Sequence, residues 1–421
     1  MPRKSPFRLS RVRLREYRSI AACDVRLGPL TVLVGPNGSG KSNFLDALRL
    51  VSEALHGSLE QAVRTRGGMA EIRRRQAGHN LKYPDDTAFV EIILEWADDH
   101  SSGVYGLELA DAAGHSARVP HEWARVWWGP QDGEEDRPAD AAFDVYEGGA
   151  VESTEEIMPP PAQHALYLVR AAGVDAFRAL FDGLSRINVY SIDPETMRRP
   201  LPPAQGEQLE RDGANIAAVL HRLEPFEQPS RYREGPKVRI EEYLRLIVPG
   251  LEMVRPTHVG AWDSLDFIQE SARGEAEEFG ESSLERSQRT FSALSVSDGT
   301  LRALGVLTAL FSDTDGPYSP IGIEEPENTL HPAAAGVLVD AFQEAAEQRQ
   351  IIITSHSPEL LDHPAFGPEQ LRAVRQEDGD TVIDKVDRAT AESLSDRLFT
   401  AGELLRADQL QPTPPLEDDG Q

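Results

Sequence analysis

An α/β fold organised around a phosphate-binding loop is predicted by three features of the sequence. Residues 30 to 45 run as an apolar strand, a glycine-rich turn and the start of an amphipathic helix. From Thr300 onward, helical and strand patterns alternate, as they do in parallel α/β architecture. The first thirty residues alternate in polarity as two strands that lead directly into the glycine-rich turn.

Taken in order, Phe7 to Leu14 and Ala21 to Leu27 predict strands joined by a turn at Glu16 to Ser19, and the strand before the glycine-rich loop follows at once. Residues 43 to 56 place Phe44, Leu45, Leu48, Val51 and Leu55 at helical spacing, so this helix is expected to pack on the central sheet. Phe89 to Trp96 and Tyr105 to Leu109 read as further strands. Between about 129 and 161 the chain turns acidic and Pro/Gly-rich and ends in Pro159-Pro160-Pro161, the signature of an exposed excursion. Prolines at 194, 200, 202, 203, 225, 229, 236, 249 and 256 interrupt any heptad repeat, which argues against a long coiled-coil arm. After Thr300 the expected elements are a helix over Leu301 to Phe311, a short strand at Ile321 to Ile323, a helix over Ala333 to Gln348 and a buried strand at Ile351 to Thr354. Leu371 to Arg375 and Val382 to Val386, around Asp378-Gly379, form a hairpin pattern, and the tail from Gln411 has the composition of a disordered segment.

The loop itself reads Gly35-Pro36-Asn37-Gly38-Ser39-Gly40-Lys41-Ser42-Asn43, a Gly-x-x-x-x-Gly-Lys-Ser pattern. Its glycines let backbone N–H groups wrap a phosphate without Cβ clashes, while Lys41 neutralises β- and γ-phosphate charge. Ser42 offers a hydroxyl to Mg²⁺, and the helix that begins there turns its positive end toward the anion. The preceding strand and following helix are the context this chemistry requires, so the pattern predicts a nucleotide site.

Three further motifs fit such a site. The strand at Ile321 ends in Glu324-Glu325-Pro326-Glu327, and adjacent carboxylates at a strand's C-terminal end can hold a metal and polarise a water. Glu324 is assigned to the metal and Glu325 to the general base; a solvated acidic loop is the plainer reading of the same residues. The strand at Ile351 ends in Ser355-His356-Ser357, where His356 can hydrogen-bond the γ-phosphate or the attacking water. His331 reads as structural or interfacial instead. Ser297-Asp298-Gly299-Thr300 opens a helix, with Ser297 and the Gly299 backbone able to cap it or to bind an anion at its positive end.

In this order the motifs resemble the ATPase heads of the ABC superfamily. More narrowly, the chain is similar to the RecF, structural-maintenance-of-chromosomes (SMC) and OLD branch, among the AAA-type RecF-like ATPases. The segment Tyr17-Arg18-Ser19-Ile20 and the spellings Ser-Asp-Gly-Thr-Leu-Arg and Ile-Glu-Glu-Pro-Glu-Asn favour this branch over transporter subunits. The likeness covers residues 7 to 100 and 287 to 408. It implies a head at 1–98 and 287–408, with a mixed central sheet and an N-terminal antiparallel β lobe, an inserted α+β lid or arm region at 99–286, and a disordered tail at 409–421. It makes Gly35 to Ser42 the Walker A loop, Ser297 to Gly299 the signature, Glu324 and Glu325 Walker B, and His356 the switch histidine. Gln76 is the one candidate for the glutamine that relatives place near the metal. Family members bind ATP and Mg²⁺ and close as head-to-head dimers, in which the signature serine of one copy reaches the γ-phosphate held by the other. Two departures are Glu324, where many relatives have Asp, and a signature spelled Leu-Ser-Val-Ser-Asp-Gly. OLD proteins also carry a C-terminal nuclease domain, and the chain is too short to be expected to hold one.

Composition narrows the partners. The formal net charge is −27, but residues 1 to 84 hold sixteen Lys/Arg against six Asp/Glu. A uniformly basic DNA-coating protein is excluded, whereas a local basic face built from Arg11, Arg13, Arg15, Arg18 and Arg73-Arg74-Arg75 stays open beside a plain solvated surface. Cys23 is the only cysteine, which precludes an internal disulfide and a cysteine-rich zinc site and fits a reducing compartment. The N-terminus lacks a signal-peptide apolar core and no stretch reaches 18 apolar residues, so a cytoplasmic protein is expected. The expected activity is Mg²⁺-dependent ATP hydrolysis in DNA repair or maintenance; the alternative is an ATP-sensing subunit of a phage-defence system that controls a separate effector nuclease or toxin. A transporter subunit ranks behind these because the Glu-Glu-Pro-Glu and Ser-Asp-Gly-Thr spellings weigh against it, and a small-molecule kinase ranks last because it needs neither a signature helix nor a switch histidine.

Overall fold

The computed structural model describes residues 6–74, 89–112, 117–129, 137–147, 149–161, 165–204, 206–224, 235–270, 288–312 and 319–413. Arg75 and Gln76, residues 130–136 of the acidic excursion and the tail from 414 lie outside the described residues.

The strands, in chain order, are β1 (Arg8–Tyr17), β2 (Ile20–Arg26), β3 (Leu30–Val34), β4 (Val90–Ala97), β5 (Ser101–Asp111) and β6 (Ala117–Arg118). They continue as β7 (His121–Trp128), β8 (Ala141–Tyr146), β9 (Val151–Ser153), β10 (Asn188–Tyr190), β11 (Leu251–Val259) and β12 (Trp262–Glu270). The last are β13 (Gln288–Ser292), β14 (Ile321–Glu324), β15 (Ile351–Ser355), β16 (Leu371–Glu377) and β17 (Asp380–Lys385). The chain divides into two compact units. One comprises Met1–Val189, Pro317–Gly322 and Ala346–Gln421, and the other Tyr190–Gly316 and Ile323–Ala345.

In the first unit an antiparallel sheet has the order β2-β1-β4-β5-β7-β8-β9, with β6 on β5. Alternation along β1 buries Leu9, Val12, Leu14 and Tyr17, and Val12 stands between Val25 of β2 and Leu94 of β4. This is the predicted N-terminal β lobe. It extends further than the sequence suggested, because β5, β7 and β8 pair in succession onto β4. The single excursion expected over 99–286 is therefore divided, with the stretch up to Val189 folded into the first unit.

A second sheet has the order β10-β14-β15-β3-β16-β17. β15 and β16 both run parallel to β3, which is buried along its whole length, and β17 runs antiparallel, so the sheet is mixed as expected. Helix α1 (Lys41–His56) buries Phe44, Leu45, Leu48, Val51 and Leu55. A Cβ on Gly322 of β14 would stand 3.0 Å from Leu45, which records how closely α1 packs there. The β16–β17 turn places Asp378 at φ 50° and Gly379 at φ 92°, the paired positive angles that a two-residue hairpin needs. The start of the expected disordered tail is ordered: Asp387 N–H donates to Gln411 O, and Thr413 N–H to Lys385 O at 2.8 Å. Backbone pairing along the strand edge outweighs the polar composition of residues 409–413.

The second unit holds the three-stranded sheet β11-β12-β13 and, among its helices, Pro236–Ile247 and Asp298–Phe311. Gly305 of the latter lies against Ile192, where a Cβ would come within 2.6 Å.

Candidate functional site

The first unit carries Gly35–Asn43 and His356. The loop leaves β3 at Gly35, whose closeness to Val374 O (a Cβ would stand 2.0 Å away) leaves no room for a side chain. Gly38 and Gly40 take φ 78° and 99°, left-handed angles that strain any other residue. Pro36, Asn37 and Gly38 are exposed at the crest, whereas Ser39 is buried and its hydroxyl finds no hydrogen-bond partner among the described residues. The Lys41 ammonium donates to Gly35 O and Pro36 O, both at 2.8 Å, which folds the cation back over the loop. Ser42 is exposed and Asn43 half-buried at the start of α1. Left-handed glycines, an unpartnered buried hydroxyl and a cation held over the loop suit the binding of a phosphate.

His356 follows β15, whose last residue, Ser355, stands opposite Val34 in the register with β3. Gly35 N–H points to Ser355 O at 3.4 Å. Parallel pairing thus brings His356 to the same sheet end as the loop.

α1 is anchored by a buried ionic cluster that the sequence did not reveal. Asp46 accepts from Tyr17 Oη at 2.8 Å and pairs with Arg18 (2.8 Å), Arg49 (2.7 Å) and Arg66 (3.1 Å). Burial works to raise its pKa, but the charges of Arg66, Arg18 and Arg49 outweigh it and leave the carboxyl below the usual range.

The second unit carries Ser297–Gly299, Glu324 and Glu325. Ser297 Oγ accepts from Thr300 N–H at 3.2 Å, so it caps the helix as predicted, and it remains exposed. Gly299 has a packing reason that its motif does not show: a Cβ there would stand 2.7 Å from Thr329 O, in the loop that follows the paired acids. Glu325 takes φ 42° and Thr329 φ 67°, two left-handed angles in a loop without glycine. Asn328 Nδ2 donates to Glu325 Oε2 at 2.6 Å and Asn328 N–H to Glu325 O at 3.2 Å, which locks that conformation. Glu324 is half-buried and pairs with Arg211 at 3.0 Å. Arg302, half-buried on the helix that Ser297 caps, faces Asp193, Glu325, Glu327 and Asp298, and burial lowers its pKa. Arg211 and Asn328 had no sequence signal, since the first is remote in the chain and the second lies in a loop whose turn was unreadable.

Among the described residues no three His, Cys, Asp or Glu side chains cluster as a ready-made metal cage. Mg²⁺ commonly uses one or two protein oxygens together with substrate phosphates, and a serine hydroxyl or a carboxylate is an acceptable ligand type; Ser42 is exposed in the first unit and Glu324 half-buried in the second. Gln76 lies outside the described residues. Of the two readings left open for the N-terminal arginines, a basic face and a solvated surface, the first is weakened because most of them are paired. Arg11 and Arg13 pair with Glu95, Arg15 with Glu91, Arg73 with Asp111, and Arg74 with Glu16 and Asp380. No helix among the described residues is long and apolar enough to cross a membrane.

Residues 30–88 and 254–362 match the family model described as "AAA domain, putative AbiEii toxin, Type IV TA system"; these segments contain Gly35–Asn43, Ser297–Gly299, Glu324, Glu325 and His356 but not Tyr17–Ile20. The DNA replication and repair protein RecF of Magnetococcus marinus is 35% identical over 83 residues, 18% of this chain and 22% of that one. RecF of Vibrio vulnificus is 48% identical over 44 residues, 10% of this chain and 12% of the relative. The OLD nuclease of Thermus scotoductus is 46% identical over 43 residues, 10% of this chain and 8% of the relative. The matches thus span under a quarter of each of these relatives. Among solved structures, the Smc head domain of Pyrococcus furiosus, bound to the C-terminal domain of ScpA, aligns at 12% identity and TM-score 0.49, over 93% of this chain and 99% of that one. The Thermotoga maritima SMC head aligns at 14% identity and TM-score 0.42, over 90% and 99%.

Proposed function

We propose that this chain, a RecF/SMC/OLD-like ATPase of the ABC type, hydrolyses ATP with Mg²⁺ and couples ATP-driven head-to-head pairing of two copies to DNA repair or maintenance. The observation that carries the reading is the Gly35–Ser42 loop: left-handed Gly38 and Gly40, Lys41 folded over them, and His356 delivered to the same sheet end by the β3–β15 register. In this reading the loop's N–H groups and Lys41 hold the phosphates. Mg²⁺ would neutralise phosphate charge; Ser42 at the loop is assigned to hold it, and Glu324 is the acidic ligand that the resemblance assigns. Glu325 takes the proton of the attacking water, and Asn328 and Arg302 orient that carboxylate from its own unit. His356 donates or accepts at the γ-phosphate and so distinguishes ATP from product. Ser297 and the Gly299 backbone of one copy close on the γ-phosphate held by a second.

A Glu325→Gln protein tests this. It is expected to bind ATP and dimerise while turnover falls by about two to four orders of magnitude, the usual contribution of a positioned base. Turnover near the unsubstituted rate, or a protein that stays monomeric with ATP by light scattering, overturns the scheme.

The second reading, an ATP-sensing subunit that controls a separate effector nuclease or toxin, is favoured by one observation. The N-terminal arginines that would meet DNA are engaged by carboxylates, and the chain as a whole is strongly acidic. ATPase measured with and without DNA over a salt series separates the two: DNA-stimulated turnover with a steep salt dependence supports action on DNA. Unstimulated turnover with a stoichiometric co-purifying protein supports regulation. In both readings the protein is placed in the cytoplasm.

A further inference from the structure

The last turn of the phosphate-binding loop is held from outside by two hydroxyls that belong to neither the loop nor its helix. Asn43 Nδ2 donates to Ser19 Oγ at 2.7 Å. Ser19 Oγ lies 2.7 Å from Thr381 Oγ1, and Thr381 Oγ1 donates to Ser39 O at 2.9 Å. The chemistry of the ends sets the direction of the whole chain. An amide nitrogen only donates, a carbonyl only accepts, and each hydroxyl owns one proton. Thr381 gives its proton to Ser39 O, so Ser19 must give its own to Thr381 and receive one from Asn43. Four groups therefore form one ordered relay, Asn43 to Ser19 to Thr381 to Ser39, in which each bond polarises the next.

The relay is buried at its Thr381–Ser39 end, half-buried at Ser19 and Asn43, and braced from outside. Thr381 is 2% exposed, and its backbone N–H donates to Ser19 O at 2.7 Å. A Cβ on Gly40 would stand 2.0 Å from Thr381 Oγ1 and 2.9 Å from Ser19 Oγ, so the two hydroxyls lie directly against the loop's last glycine. The turn that carries Ser19 is itself fixed in an uncommon conformation, with Glu16 at φ 55° and Arg18 at φ 52°. Arg18 N–H donates to Ile72 O at 2.7 Å and Arg74 N–H to Glu16 O at 2.9 Å. The Arg74 side chain grips Asp380, the neighbour of Thr381, through two bonds at 2.6 and 2.7 Å. The β1–β2 turn and the β16–β17 hairpin are thus joined to one another before they touch the loop.

We infer that Ser19 and Thr381 are positioning residues for the phosphate-binding loop, fixing Ser39–Asn43 in its binding conformation before any ligand arrives. The inference rests on the reading of Gly35–Ser42 as a nucleotide site. It adds that the C-terminal hairpin, some 340 residues away in sequence, sets how well that site is formed.

The test uses the full chain with Thr381→Val, which keeps the branched shape and removes the hydroxyl, Thr381→Ser, which restores it, and Ser19→Ala. Thr381→Val is expected to weaken ATP binding and raise KM about ten-fold, the scale of one or two net hydrogen bonds, with kcat at saturating ATP changed less than about three-fold. Thr381→Ser is expected to bind within about three-fold of the unsubstituted chain, and the double variant Ser19→Ala with Thr381→Val to lose little more than Thr381→Val alone. Amide hydrogen exchange at residues 40–42 of the nucleotide-free protein is expected to quicken about ten-fold in Thr381→Val and not in Thr381→Ser. Equal exchange in all variants, or equal losses in Thr381→Val and Thr381→Ser, overturns the inference. A chain that binds no ATP even unsubstituted overturns the reading of the loop instead, and the exchange measurement still decides the role of the relay.

Discussion

Glu122 gives the most quantitative prediction in the molecule. It lies on β7 opposite Leu107, on the face of the antiparallel sheet that packs inward, and is 2% exposed. Its carboxylate accepts from Tyr167 N–H (2.6 Å), Leu168 N–H (2.8 Å) and Tyr105 Oη (3.0 Å). These three bonds favour the charged form, but burial outweighs them and pushes the pKa up to about 7, from an ordinary 4.5. The folded protein therefore holds this proton across a range in which the unfolded chain has released it. Below about pH 4.5 both states are protonated and the group adds no pH dependence. Between 4.5 and 7 the folded state binds more protons than the unfolded, so stability falls as pH rises, and above about 7 the full cost is present. A difference of two to three pKa units corresponds to about 3 kcal/mol at 1.36 kcal/mol per unit.

Glu122→Gln keeps the shape and an acceptor oxygen but cannot ionise. The assay is denaturant unfolding of both proteins from pH 4 to 8.5, read as the difference between them so that all other titrations cancel. That difference, unsubstituted minus variant, is expected to drop by about 3 kcal/mol between pH 4.5 and 7.5 and then to level off. A difference that is flat over this range, or that rises with pH, refutes the reasoning, because the three hydrogen bonds would then have compensated burial in full.

Other expectations concern the loop and the acids. Gly40→Ala combines φ 99° with a Cβ 2.0 Å from Thr381 Oγ1, so ATP affinity by titration calorimetry should fall at least about ten-fold. Asp46→Asn leaves Arg66, whose side chain is 1% exposed, with only the exposed Glu53 as counter-charge, and denaturant unfolding should show a loss of about 3 kcal/mol. Because the Asp46 carboxyl is held below its usual range, its own contribution should be present above about pH 4 and be lost as pH falls through the folded value. Gly299→Ala drives a methyl toward Thr329 O and so displaces the loop that locks Glu325; turnover should drop about ten-fold or more while equilibrium ATP binding stays near normal.

How much of this was legible in the sequence depended on whether a feature is local. The strand, loop and α1 were readable because apolar spacing, two left-handed glycines and the start of a helix all lie within 27 residues. The hairpin at Asp378-Gly379 was readable for the same reason. Glu324, Glu325 and His356 were found as strand ends, and their motif order supplied what spacing could not. The features that hold those residues in place left no such trace. Asp46 reads as one polar residue on an amphipathic helix, and nothing nearby tells that Tyr17, Arg18 and Arg66 converge on it. Thr381 reads as an ordinary strand residue two positions after a turn, yet it lies against Gly40. The same limit explains the basic N-terminus: Arg11, Arg13 and Arg15 look like a nucleic-acid face until pairing with β4 sets Glu91 and Glu95 beside them. Cross-strand register, which converts a charge run into ion pairs, is a long-range property. A charge run therefore takes its meaning from distant strands, whereas a backbone angle that demands a particular residue, as at Gly38, Gly40 and Gly379, is written locally.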